Sequence, residues 1–96
     1  MVVDAVIQAL SSPFSIFILY LLSQHGEMKL GEILASIGLS RYRAVRNSIM
    51  FLAKVGLIKV AIHQISPRVK AWRISLTRKG RKLIESLLSV LNDSYS

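Results

Sequence analysis

The segment Ser40-Arg41-Tyr42-Arg43-Ala44-Val45-Arg46-Asn47 puts three arginines and one asparagine into the opening of one predicted helix. An arginine fork offers two parallel donors that match O6 and N7 of guanine, and an asparagine amide offers a donor and an acceptor that match adenine. With Val45 at the inner pole of a wheel turning about 100° per residue, Ile49 and Leu52 fall on the same side. Arg43, Asn47, Met50 and Lys54 then fall near the opposite pole, and Arg46 lies on the flank. The outer face at the amino-terminal half is therefore Arg43, Arg46 and Asn47, with Met50 beside them. Arg41 falls on the core side of the wheel, but in the first turn, where a long side chain reaches out along a backbone. Arg41 and Tyr42, next to Ser40, suit a phosphate contact, which sets register and carries little sequence information.

Charge distribution supports a polyanionic partner. No acid occurs between Glu32 and Glu85, and twelve of the thirteen Lys and Arg residues lie in that interval, Lys29 being the exception. A one-signed surface concentrates polyanions. Three arginines alone would read as an ordinary solvated face. Their place on the second helix of a helix-turn-helix pattern, with no acid nearby, favours DNA.

Further cations stand downstream. Arg68 and Lys70 lie in His63-Gln64-Ile65-Ser66-Pro67-Arg68-Val69-Lys70, read as a loop with a proline breaker. Such cations suit a narrow A·T-rich minor groove; a polar loop that merely carries charge is the plainer reading. Arg73, on the outward side of the next strand, is a flank candidate. Arg78, Lys79, Arg81 and Lys82 crowd the start of the last helix, where the dipole disfavours cations. Phosphates or a partner's acids would relieve that cost, which makes Arg78 and Lys79 candidates for backbone contact. Trp72 alternates with Ile74 and Leu76 and reads as core rather than as a stacking platform. Tyr20 and Phe51 read as packing, with Phe51 off the core face at a subunit contact.

Other chemistries find little support. The five acids are scattered, with no paired carboxylates, no nucleophile–base pair and no phosphate-cradling glycine loop, so no enzyme is expected. There is no cysteine, and His25 and His63 stand alone, so no metal and no cofactor are expected. Residues 2–22 are apolar, but Asp4, Gln8 and Ser11-Ser12-Pro13 interrupt them, which argues against a membrane span. No positive amino-terminal region or small-residue cleavage site marks a signal peptide. A cytoplasmic, nucleoid-associated protein is expected.

The elements follow from periodicity. Val2 to Leu10 reads as a short helix stopped by Ser11-Ser12-Pro13. Ser12 is expected to cap a second helix, Phe14 to about Gln24, with Phe14, Phe17, Ile18, Leu21 and Leu22 inside and Ile16, Leu19 and Tyr20 widening the stripe. Glu27-Met28-Lys29 is a short extended stretch. Leu30, Ile33, Leu34 and Ile37 form a helix closed by Gly38. Ser40 is expected to cap the recognition helix, about 40–55. Leu57–Ile62 and Ala71–Leu76 alternate as paired strands within a wing at about 57–76. Thr77 is expected to cap a last helix, about 77–92, with a stripe of Leu83, Ile84, Leu87, Leu88 and Leu91. Gly80 inside that helix costs about 1 kcal/mol relative to Ala, which a close helix crossing would explain.

Ninety-six residues make one domain, spanning 1–96, whose hydrophobic content of 52% exceeds what one small core can hide. A second subunit is expected to cover the surplus on the first and last helices, at Val3, Val6, Ile7, Ile16, Tyr20 and Ile84. The formal charge of +8 suits nucleic acid or an anionic membrane.

Ala9-Leu10-Ser11-Ser12-Pro13, Gly38-Leu39-Ser40, Val45…Leu52…Gly56-Leu57-Ile58 and Ile74-Ser75-Leu76-Thr77-Arg78-Lys79-Gly80-Arg81 follow one another in an order and spacing that carry a family resemblance. The chain resembles winged helix-turn-helix transcription regulators of the MarR, ArsR and PadR type, and is similar to small regulators of archaea and their viruses. That resemblance implies a mainly α fold with a small β-hairpin, dimeric through the first and last helices. It implies a sequence-specific regulator of double-stranded DNA, most simply a repressor, with recognition helices in successive major grooves and wings at the flanking minor groove. Against metal-sensing relatives stands the absence of cysteine. The chain is also much shorter than most MarR relatives, which puts a small-molecule pocket in doubt. A winged-helix adaptor that binds protein, a non-specific chromosome-coating protein and a membrane-surface protein remain as rivals.

Overall fold

The computed structural model describes Ile7, residues 10–12 and residues 14–95. Its elements are α1 (Ser15–His25), β1 (Met28–Lys29), α2 (Leu30–Ile37), a 3-10 turn (Leu39–Arg41), α3 (Tyr42–Lys54), β2 (Ile58–Ser66), β3 (Val69–Leu76) and α4 (Arg78–Tyr95). The strands form one antiparallel sheet in the order β1-β3-β2. This is a winged helix: α2 and α3 with the turn between them, a hairpin wing of β2 and β3, and α4 lying along α1.

The helical stripes build one core. Ile18, Leu19 and Leu22 of α1, Ile33 of α2, and Val45, Ile49 and Leu52 of α3 are fully buried, with Leu57, Ile74 and Ile84 closing the set. The predicted inner face of α3 thus packs inward as expected. In α1 the expected stripe is rotated: Leu19 is at 0% exposure and Phe17 at 43%. Apolar residues run almost round that helix, so periodicity does not define its inner side.

Several boundaries differ from expectation. The first predicted helix and Pro13 lie outside the described residues, apart from Ile7 and Leu10. Neither Ser12 nor Ser40 caps a helix. Phe14, in the left-handed region at φ 67°, is the N-cap of α1, and Arg41 is the N-cap of α3, both without a side-chain cap bond. The 3-10 turn occupies the position that Ser40 would need as a cap. The wing loop is also shorter than expected. Pairing continues from Ile58↔Leu76 out to Ser66↔Val69, with an irregularity between Gln64 and Ser66. Only Pro67 and Arg68 remain in the turn, where a missing N–H deprives no ladder of a bond. Ile84, expected at a subunit contact, is 1% exposed and belongs to the core, where it also floors the groove between α1 and α4. It lies on the inner side of α4, which packs against α1.

The end of α3 and the start of α4 are tied together. The Leu57 N–H donates to Leu52 O at 3.0 Å and the Gly56 N–H to Ala53 O at 3.1 Å. That pair of bonds, with φ 81° at Gly56 and the buried Leu52 and Leu57, is a Schellman end. Thr77 Oγ1 donates to Gly56 O at 2.6 Å and accepts from the Gly80 N–H at 3.1 Å, so it is the expected cap and also a clamp. The Thr77 N–H donates to Leu57 O at 3.2 Å. Gly80 is buried against this turn. The close approach expected of it is therefore to a backbone corner rather than to another helix.

A Cβ at position 80 would collide with the Leu57 carbonyl oxygen and stand 2.9 Å from its carbon and 3.2 Å from Leu76 Cδ2. Backbone cannot rotate aside. Gly80→Ala should lower stability by about 3 kcal/mol, at the upper end of overpacking costs, although alanine is the better helix former by about 1 kcal/mol. Thr77→Val should cost about 1–2 kcal/mol and Thr77→Ser much less. Denaturant midpoints report both effects; an unmoved midpoint for Gly80→Ala would show that α4 can lift off the turn.

Candidate nucleic-acid interface

Burial of Val45, Ile49 and Leu52 fixes the rotation of α3 about its axis. Arg41, Tyr42, Arg43, Arg46, Asn47, Met50 and Lys54 are all exposed as a result. The expected outer face therefore projects from the protein. Among the described residues neither Arg43 nor Asn47 has a hydrogen-bonding or ion-pair partner, so their polar groups are free for a ligand. Met50, 52% exposed, borders a shallow hollow with Asn47, Phe51, Ala53 and Lys54. Ser40 lies exposed in the turn just before the helix.

Arg46 differs from its neighbours. Its Cζ sits 5.4 Å from the centroid of the Trp72 ring, at cation–π distance. Trp72 is half-buried and packs on the core, as its alternation predicts, while keeping part of its ring available to this guanidinium. Strand pairing places Trp72 opposite Ile62, midway along the wing. Arg46 thus links α3 to the middle of the wing.

The wing cations separate. Arg68 is at the hairpin tip and is exposed. Lys70, two residues on, lines a cleft of about 560 Å³ with Lys29 and Glu32 at the start of α2, Tyr42 and Arg46 of α3, and Trp72. Lys29 escapes sequence reasoning because it stands outside the acid-free interval. Its contribution depends on β1 pairing with β3, Lys29 opposite Arg73; the short extended stretch is legible in the sequence, but its distant partner strand is not. The Lys29 N–H donates to Glu32 Oε1 at 2.8 Å, which places that acid at the opening of α2.

Arg73 points differently from Trp72, since successive strand side chains take opposite faces. Its guanidinium is 3.9 Å from Glu27, so the proposed flank residue already has an anionic partner within the chain. The basic cluster on α4 is also partly satisfied internally. Lys79 Nζ donates to Val55 O at 3.1 Å, and Arg81 lies 4.0 Å from Glu85. External phosphates are therefore not required to relieve that helix start. Lys79 lies over the carboxy-terminal end of α3, where a cation is favoured. Arg78 remains exposed.

Of the expected subunit-contact residues, Val3 and Val6 lie outside the described residues, and Ile7, Ile16 and Tyr20 are exposed. Ile16, Phe17 and Tyr20 of α1 line an apolar groove with Ile84, Leu87, Leu88 and Leu91 of α4. Among the described residues no three His, Asp or Glu side chains gather as a metal site, and no helix is long and apolar enough to cross a membrane.

No protein-family model matches the chain, and no curated protein sequence does. Among solved structures, the chain is similar to a transcriptional regulator homologue protein from Pyrococcus horikoshii OT3, with a TM-score of 0.70 at 18% identity over 96% of this chain and 94% of that one. At that identity the likeness is one of fold, and the shared fold is the winged helix described above.

Proposed function

We propose that this protein is a sequence-reading, double-stranded-DNA-binding transcription regulator of the MarR, ArsR and PadR type, acting as a homodimer in the cytoplasm and nucleoid. The observation that carries the reading is the unpartnered Arg43–Asn47 pair on the outward face of α3. A helix is about 10–12 Å across with its side chains and the major groove about 12 Å wide, so residues at the outer pole meet base edges. Arg43 suits guanine and Asn47 suits adenine; Ser40, Arg41 and Tyr42 meet the adjacent backbone. Arg68 at the wing tip suits the minor groove. The fold likeness to a transcriptional regulator homologue agrees with this reading. Repression is the simpler mode, since it asks only that the operator be occupied. No enzymatic activity, metal or cofactor enters the proposal.

The exposed apolar residues between α1 and α4 support dimerisation. Ile16 at 49% and Leu91 at 52% exposure leave apolar surface that a second copy would cover. Two-fold symmetry would then place half-sites about 10 bp apart or a multiple of that. Selection from a random DNA pool should return a palindrome of that spacing; enrichment of no sequence would favour chromosome coating.

Two measurements test the assignments. Arg43→Ala should lower discrimination between the selected operator and random duplex by about 1–3 kcal/mol; equal losses on both would move Arg43 to the backbone. Ile16→Glu should leave the fold intact, shift sedimentation from dimer to monomer and weaken operator binding. A wild-type monomer at micromolar concentration would overturn the dimer.

A further inference from the structure

The cleft between α2, α3 and β3 collects Lys29, Arg46 and Lys70 from three separate elements around one acid, Glu32. Its net charge is positive, and Leu34, Ala71 and Trp72 give it a partly apolar lining. Arg46 is held over the Trp72 ring at 5.4 Å. A cation–π contact uses no N–H donor, and among the described residues Arg46 makes no hydrogen bond or ion pair, so its donors are free for an oxyanion. On the wheel Arg46 stands about 100° from the inner pole, whereas Arg43 and Asn47 stand near the outer pole. A side chain on the flank of a groove-bound helix meets the groove wall, which is phosphate.

We infer that this cleft seats one phosphodiester of the DNA backbone, with Arg46 as its principal donor, Lys70 and Lys29 as flanking charges, and Trp72 as the positioning residue that holds Arg46 in place. Arg46 thereby leaves the base-reading set. The inference rests on the DNA-binding reading and assigns one contact within it. It also gives the wing a task besides minor-groove contact: its middle carries the ring that orients an arginine of α3.

Arg46→Ala, Trp72→Leu and Trp72→Phe are to be compared with wild type on the selected operator and on an unrelated duplex across a salt series, after circular dichroism confirms folding. Arg46→Ala should weaken both duplexes by the same factor and reduce the salt slope by about one unit. Trp72→Leu, which removes the π face, should give a partial loss of the same kind, and Trp72→Phe, which keeps one, should recover it. Trp72 is the single tryptophan, so its emission should change when Arg46 is removed and again when duplex binds. Loss of operator discrimination at unchanged slope in Arg46→Ala would return Arg46 to base reading and overturn the inference. So would Trp72→Leu binding like wild type. A saturable emission change with inorganic phosphate, absent with chloride at equal ionic strength, would also overturn it by marking a small-anion site. Wild type that binds neither duplex would instead sink the DNA reading itself.

Discussion

The corner at Val55–Leu57 holds the arrangement together. Four interactions reach it from the start of α4: the Thr77 hydroxyl to Gly56 O, the Thr77 N–H to Leu57 O, the Lys79 ammonium to Val55 O, and the backbone of Gly80 packed against Leu57. The corner ends the recognition helix and begins the wing. Because α4 grips it, the direction of α3, the root of β2 and the axis of α4 are set by one set of contacts. On the proposed reading, a groove-reading helix must present its side chains at a definite angle, and a dimer helix must set the separation between two such helices. Here both requirements pass through the same few backbone carbonyls.

Electrostatics acts on this frame through what is left unspent. Of the cations in the acid-free interval, Lys79 is used on a helix end, Arg73 on Glu27 and Arg81 on Glu85. Arg73 and Arg81 are surface pairs, which contribute little to stability, but they mark sides of the molecule where charge already has company. Arg43 with Asn47 on α3 and Arg68 at the wing tip are exposed, while Arg46 and Lys70 border one cleft. Much of the free charge therefore lies around the outer face of α3 and the wing, with Arg78 and Lys82 exposed at the start of α4.

Legibility differed by element. The inner face of α3 was readable because Val45, Ile49 and Leu52 recur at helical spacing among polar residues. The cap at Thr77 was readable because a threonine stood where the strand pattern ended and a helical one began. Helix α1 was misread by rotation, since Phe17 and Leu19 are equally apolar and only packing against the sheet and α4 selects between them. The wing was read as too short in its strands because Pro67 with Arg68 and Lys70 suggested a loop over 63–70; the cross-strand ladder, a non-local property, extends to Ser66↔Val69. Ile84 was read only as a contact residue, whereas packing of α4 on α1 puts it in the core at the floor of their shared groove.

From the sequence alone came the winged-helix order, the polarity of α3 and the one-signed charge, because each rests on short-range periodicity or on composition. Which cations remain free, which ring holds Arg46, and how Lys29 joins Lys70 were decided by tertiary structure. Those outcomes depend on contacts between residues far apart in the chain, such as Lys29 opposite Arg73 and Trp72 beneath Arg46, and no local pattern encodes the distance between them.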